Sequence, residues 1–253
     1  MAIKIHDADE LAAMRRAGRV AAATLDTVAR RVRPGVSTAQ IDAWVREDTR
    51  ARAARPSQLG FQGFPAAVCT SVNEVVCHGL PSPSRRVRAG DIINIDVTSE
   101  FEGFHGDTST TLAIGDVSPD KRRVLEAARA CLWAGIEAVR PGARLGDVGA
   151  AIVAVARRHG CGLVREFGGH GIGRHMHMPP HVSHVGRAGR GPRLRPGMTF
   201  TIEPMLTIGE PALLLLEDGW TLVTADGTPS AQFEHTVAVT ETGVEVLTAA
   251  SEP

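Results

Sequence analysis

A chain of 253 residues, 43% apolar and 22% charged, has the material for a substantial buried core and the balance of a globular protein, which sets aside disordered and fibrous classes. Its 28 basic and 28 acidic side chains cancel, excluding a strong overall field toward nucleic acid or anionic lipid, and the arginines read as solvated faces among acids and alanines. There is no signal-peptide core and no long apolar run, and Cys69, Cys77, Cys131 and Cys161 lack zinc-finger or CxxC spacing, so free thiols in a cytoplasmic protein are expected.

Residues 9–31 predict an amphipathic helix, halted by Arg33-Pro34-Gly35. Ser37 with Gln40 three residues on predicts a capping box for a second helix reaching about residue 53. Residues 91–97, rich in Ile and Val, predict a strand, and the Glu102-Gly103 turn should fold it against a second strand carrying Asp107. Ser118-Pro119 starts a third helix that ends at Arg140-Pro141-Gly142, and a fourth runs to His159-Gly160. Five of the ten histidines then crowd into residues 169–184, before two further β-prone runs at 199–204 and 231–239.

The two Arg-Pro-Gly stops lie 107 residues apart, and so do RAGDIINID at Arg88 and RPGMTFTIE at Arg195. The second pair aligns Asp96 with Glu203. A shared offset predicts a duplicated helix–helix–strand unit, with halves of roughly 10–115 and 118–247 facing one cleft across a pseudo-twofold. We expect one α+β catalytic domain over residues 1–253, built around a central antiparallel sheet.

Four strands each hold an acid (Asp96, Asp107, Glu203, Glu234) and no Lys or Arg accompanies any of them in its strand. A buried unpaired carboxylate costs several kcal/mol, on the order given for isolated charges. A divalent cation between carboxylates removes that cost. Four acids and a histidine suit a pair of divalent ions, and such pairs assist hydrolysis.

With these residues in place, the chain resembles type I methionine aminopeptidase, of the pita-bread (creatinase/aminopeptidase) fold. The resemblance rests on Asn73-Glu74-Val75-Val76-Cys77-His78-Gly79, residues 90–108, Gly169-His170-Gly171-Ile172-Gly173, residues 194–205 and residues 230–237. It implies five metal ligands, Asp96, Asp107, His170, Glu203 and Glu234, for two divalent ions per chain (Co, Mn, Fe, Zn or Ni). Asp107 and Glu234 would bridge, Asp96 would serve one ion, and His170 with Glu203 the other. It further implies Glu203 as general base, and His78 and His177 as catalytic groups in contact with substrate. Phe61, Phe64, Cys69, Met176 and Trp220 would form the methionine pocket, and a monovalent cation (Na or K) would sit near Asn73, Val75 and Ser230. The implied activity is removal of the initiator methionine from nascent proteins and peptides, favouring a small second residue. The implied partners are nascent N-termini at or near the ribosome, with no nucleic acid, no membrane and a monomeric enzyme.

His175, His181 and His184 match no functional position and read as loop residues, His235 should point away from the ligands, and His105 should share their face. Phe61-Gln62-Gly63-Phe64 stands where relatives often show Tyr-His-Gly-Tyr, Met176 where an aromatic is frequent, and Met178 where many relatives carry an acid. None of these is a ligand, so they bear on substrate preference. Two rivals share the fold. An X-prolyl aminopeptidase or dipeptidase is expected to carry a large N-terminal domain, and a non-catalytic binding protein to lack ligands; here all five are present.

Overall fold

A computed structural model describes residues 2–249. Four helices form where capping and periodicity predict them: α1 (Ala8–Ala29), α2 (Thr38–Ala51), α3 (Pro119–Glu137) and α4 (Leu145–Arg158). Asp7 caps α1 by accepting the Glu10 N–H at 2.8 Å, and Ser37 with Gln40 closes the capping box expected for α2. Each helix buries one stripe; on α1 it comprises Met14, Ala17, Ala21, Leu25 and Val28.

Nine strands make the central sheet: β1 (Arg55–Pro56), β2 (Cys69–Val72), β3 (Ile92–Phe101), β4 (Phe104–Ala113), β5 (Gly169–Gly171), β6 (Met178–Val182), β7 (Thr199–Ile202), β8 (Glu234–Val239) and β9 (Val244–Val246). Its order is β1-β3-β4-β8-β7-β5-β6, with β2 also on β3 and β9 also on β8, every pairing antiparallel. The long hairpin β3–β4 turns at Glu102-Gly103, where both residues adopt positive φ, as a two-residue loop between right-twisted strands requires. Helix α1 crosses β4 where Gly106 faces Gly18, so closely that a Cβ on Gly106 would lie 2.6 Å from the Gly18 Cα.

The 107-residue offset recurs in the backbone itself. Helices α2 and α4 begin and end at equivalent positions, and the bridge Ser37–Arg86 has its counterpart in Arg144–Arg193. Gly35 N–H donates to the Val87 carbonyl at 2.8 Å, and Gly142 N–H to the Leu194 carbonyl at 3.0 Å. Gly90 and Gly197 share φ +87°, a left-handed turn open to glycine at little cost.

One expected strand is broken in two. The β-prone run 231–239 predicts one continuous strand, but Ser230–Gln232 pairs with Met205–Thr207 in a separate three-stranded sheet, and only from Glu234 does the chain join the main sheet. The switch falls at Phe233, whose ring is buried in the core beneath α3 and α4. On the partner strand the same switch follows Ile202, because Pro204 has no N–H to continue the ladder. Glu203 and Glu234 therefore sit together where two sheets part.

Candidate metal centre

Strand register brings the four acids to one face. Thr98 lies opposite Asp107, Asp96 opposite Ser109, and Ser109 opposite Glu234, so by the two-residue period Asp96, Asp107 and Glu234 project to the same side. Ile202 opposes His235, which sets Glu203 beside Glu234. On the next strand His170 donates its backbone N–H to the Thr201 hydroxyl at 2.9 Å. Donor atoms of Asp107, His170 and Glu234 lie within 4.8 Å of one another.

All four carboxylates are largely withdrawn from water, and among the described residues none has a Lys or Arg ion-pair partner. Burial pushes the Asp107 carboxyl up to about 7, against hydrogen bonds from Thr98 and the Thr108 N–H. Asp96, Glu203 and Glu234 are driven well above the usual carboxylate range, by burial first and then by the neighbouring acids. Burial pushes His170 down to about 3, with His177 adding to the effect. Its Nδ1 faces the Gly171 carbonyl at 3.2 Å, which leaves Nε2 as the lone-pair side, 3.6 Å from oxygens of both Asp107 and Glu203. A neutral imidazole cannot neutralise those acids. Oxygen and imidazole donors converging without a counter-charge are what divalent first-row ions need, and the residues fit such ions.

These groups floor a cavity of about 240 Å³. Every residue that the resemblance implies for catalysis, ligation or the side-chain pocket lines it: His78, His177, Phe61, Phe64, Cys69, Met176 and Trp220 stand around the five ligand candidates. Phe64 packs edge-on against Trp220 at 5.1 Å, and Phe61 likewise against His177 at 5.0 Å. Cys69 faces Asp96 across the β2–β3 pair. His78 takes φ +54°, a conformation that non-glycine residues adopt at a cost, and its ring meets Phe167 at 5.7 Å. The His170 and His177 rings approach to 4.0 Å. His105 bonds Ser57 at 2.8 Å instead of lining the cavity, and His235 turns to the other side of the sheet, to the Thr248 hydroxyl at 2.9 Å.

His184 corrects the sequence reading. Unlike the exposed His175 and His181, it is 2% exposed, and its Nε2 accepts the backbone N–H of Glu203 at 3.1 Å. Burial holds it neutral, its pKa pushed down to about 3. Three more contacts escaped the sequence. The Thr201 hydroxyl donates to Glu203 Oε1 (2.8 Å), Thr98 donates to Asp107 Oδ1 (2.7 Å), and Gln58 reaches Asp96 Oδ1 (3.2 Å). Thr201 stands two residues from Glu203 on one strand, and Thr98 lies opposite Asp107 across the hairpin, so strand period and hairpin register were the available signals; Gln58 comes from a loop and had none.

Comparison with known proteins agrees with this geometry. Residues 12–241 match the model of "Metallopeptidase family M24". Methionine aminopeptidase A of Synechocystis sp. is 51% identical over 94% of this chain and 94% of its own. The crystal structure of methionine aminopeptidase from Rickettsia prowazekii superposes with a TM-score of 0.96 at 43% identity, covering 98% of this chain and all of that one. The prolidase of Pyrococcus horikoshii, at 18% identity and TM-score 0.76, shares the fold over 98% of this chain and 64% of its own. The chain is thus a pita-bread enzyme of metallopeptidase family M24, and within that family it belongs to the methionine aminopeptidases.

Proposed function

We propose that the protein hydrolyses the first peptide bond of proteins and peptides that begin with methionine, favouring a small second residue, as the names of its relatives suggest for the methionine step. The observation that carries this reading is the meeting of Asp107, His170 and Glu234 at the floor of a cavity walled by Phe61, Phe64, Cys69, Met176 and Trp220. An unbranched thioether suits a wall of aromatic rings and sulfur.

Two divalent ions (Co, Mn, Fe, Zn or Ni) would be held by Asp96, Asp107, His170, Glu203 and Glu234, with Asp107 and Glu234 shared. Bound there, they supply Lewis acidity toward the scissile carbonyl and the attacking water. Glu203 takes the proton of that water and returns it to the leaving amine. The Thr201 hydroxyl occupies Oε1 of Glu203 and so fixes the carboxylate in one orientation. His78 and His177 donate hydrogen bonds to the reacting amide, His177 on the side where negative charge develops. The Asp96 end receives the free α-amine, which confines cleavage to the chain terminus. A monovalent cation, Na or K, belongs near the carbonyls of Asn73, Val75 and Ser230; Asn73, at φ +56°, accepts the Ser230 N–H at 2.8 Å, so these segments already adjoin. The partners in this reading are nascent N-termini at or near the ribosome, the enzyme acting as a monomer in the cytoplasm.

The test is to load the protein with manganese or cobalt and offer Met-Gly-Met-Met beside a peptide with proline second. Free methionine released from the first is the expected result. Cleavage only before proline would assign the protein to the X-prolyl class instead, and no cleavage of either would remove the enzymatic reading.

A further inference from the structure

Large apolar side chains scattered singly over a surface need no explanation, whereas a contiguous exposed run does. Among the described residues the exposed ones are Leu59, Trp133, Val185, Leu214, Leu215 and Leu216, and the last three are consecutive. These three stand 54%, 60% and 44% open to water, on the hairpin formed by strands Leu213–Leu215 and Leu222–Thr224. None of them lines the catalytic cavity.

The hairpin leaves an edge open. Leu222–Thr224 pairs on its other side with Val75–Cys77, so Leu213–Leu215 is the outer strand of a three-stranded sheet. Leu216 N–H donates to the Thr221 carbonyl at 2.9 Å, and Ala225 N–H to the Ala212 carbonyl at 2.8 Å. By the alternation of an antiparallel ladder Leu214 also bonds across the hairpin, which leaves the N–H and C=O of Leu213 and Leu215 on the open edge. The turn is braced, since Asp218 accepts the N–H groups of Trp220 and Thr221 at 2.9 and 2.8 Å.

This edge joins the cavity by contact. In the aminopeptidase reading Phe61, Phe64, Cys69, Met176 and Trp220 take the methionine side chain, so the rest of a substrate leaves along another wall. Phe167 and Met205 line the cavity too, and the Phe167 ring meets His78, which faces the scissile amide, at 5.7 Å. Both belong to one apolar cluster with Leu213 and Leu222. Leu215 lies opposite Leu222 and two residues beyond Leu213, so it carries that apolar surface outward into water.

Charge and size choose the occupant. Residues 196–253 contain no Lys or Arg, and the exposed acids Glu210 and Glu217 flank the leucines, so anionic lipid is repelled. A second copy would set the same acids against each other across a twofold, over too few side chains to reach the roughly 1,200 Å² of a stable interface. An extended peptide with apolar side chains satisfies both the open edge and the leucines, and the cavity next door supplies one.

We propose that the leucine strand is a subsite for the substrate polypeptide beyond its second residue. An extended apolar segment pairs with the edge of Leu213–Leu215 and packs against Leu214, Leu215 and Leu216. The inference rests on the methionine aminopeptidase reading of the cavity, and it makes residues downstream of the cut a determinant of which chains are processed.

The experiment measures methionine release by manganese-loaded protein from Met-Gly-Ser-Leu-Val-Leu-Ser-Lys, Met-Gly-Ser-Ser-Thr-Ser-Ser-Lys and Met-Gly-Ser. The first should exceed the second about tenfold in kcat/KM, through KM, because this contact is alike in the ground and transition states. In L214S/L215S/L216S, whose replaced side chains are exposed, the two long peptides should be processed equally, and Leu215→Ser alone should fall between that variant and wild type. Met-Gly-Ser, which lacks the apolar segment, should be cleaved alike by all three proteins. Of two versions of the first peptide N-methylated on alternate amides, one in each register, one should lose the advantage. Anisotropy of the apolar peptide, fluorescein-labelled at its C-terminus and mixed with protein to which no metal is added, should show about the same tenfold loss of binding in the triple variant, independent of cleavage. Equal processing of the long peptides by wild type, an advantage kept in the triple variant or in both methylated peptides, tighter binding to phosphatidylserine vesicles than to the apolar peptide, or a wild-type dimer that the triple variant abolishes each overturns the proposal. Binding of the apolar peptide as stated, with no methionine released from any peptide, would instead sink the aminopeptidase reading alone.

Discussion

Glu203 is held at three points. Thr201 holds Oε1 at 2.8 Å, Gln232 reaches Oε2 at 3.4 Å, and His184 accepts its N–H at 3.1 Å. A carboxylate so fixed loses little orientation when a base is replaced by an isostere. Glu203→Gln is therefore expected to cut kcat by about 10²–10⁴, the usual contribution of a positioned proton acceptor, while circular dichroism and the melting temperature stay close to wild type. Activity within tenfold of wild type would remove Glu203 from its assigned role. At this scale the acids were legible, because an ionisable group inside a β-prone run is conspicuous, whereas only the resemblance singled out His170 from its cluster of five histidines. His184 was not, since only burial distinguishes it from the exposed His175 and His181.

Among the elements, the hairpin β3–β4 places Asp96 and Asp107, and α1 clamps it from behind. The clamp closes at one point: a side chain on Gly106 would meet the Gly18 backbone at 2.6 Å and the Ala17 carbonyl carbon at 2.7 Å. Backbone cannot swing aside as a flexible side chain can. Gly106→Ala should cost about 3 kcal/mol, the upper range for overpacking, read as a lowered denaturation midpoint. Because Asp107 follows directly, activity should fall more than stability alone explains. A variant as stable as wild type would show that α1 is not seated on the strand. Helix starts were readable from Ser37, Gln40 and Ser118-Pro119, whose side chains act within one turn. The break at Phe233 was not readable, because the propensity of residues 231–239 is uniformly β and only pairing with two different strands divides them.

At the level of the whole molecule, the site is a seam between two copies of one backbone. Asp96 and Asp107 come from the first half, and His170, Glu203 and Glu234 from the second. Without a cation the seam holds acids that resist ionisation. Asp107, at about 7 folded against an ordinary value of 3.8, weakens the fold as pH rises through that interval, since the unfolded chain releases its proton first. His170 acts in the opposite sense: at about 3 folded against 6.5, it weakens the fold as pH falls below 6.5, because the unfolded chain gains the proton. Manganese should therefore raise the melting temperature more at pH 7.5 than at pH 5, where it must displace protons from its ligands. At a hundredfold excess over its Kd the gain is about 2.7 kcal/mol. An equal shift at both pH values, or the same shift in Asp107→Asn, would refute a metal site at this seam.

The sequence by itself determined the local vocabulary: four capped helices, a hairpin turn, a 107-residue repeat, five ligand candidates and the resemblance that joins them. Caps, turns and period-two alternation are interactions between neighbours in the chain, so the chain reveals them. Only the tertiary structure decided that, among the described residues, the buried acids lack a basic partner, and that His184 supports Glu203. Those facts depend on burial and on contacts between separate strands and loops, and a local pattern carries neither.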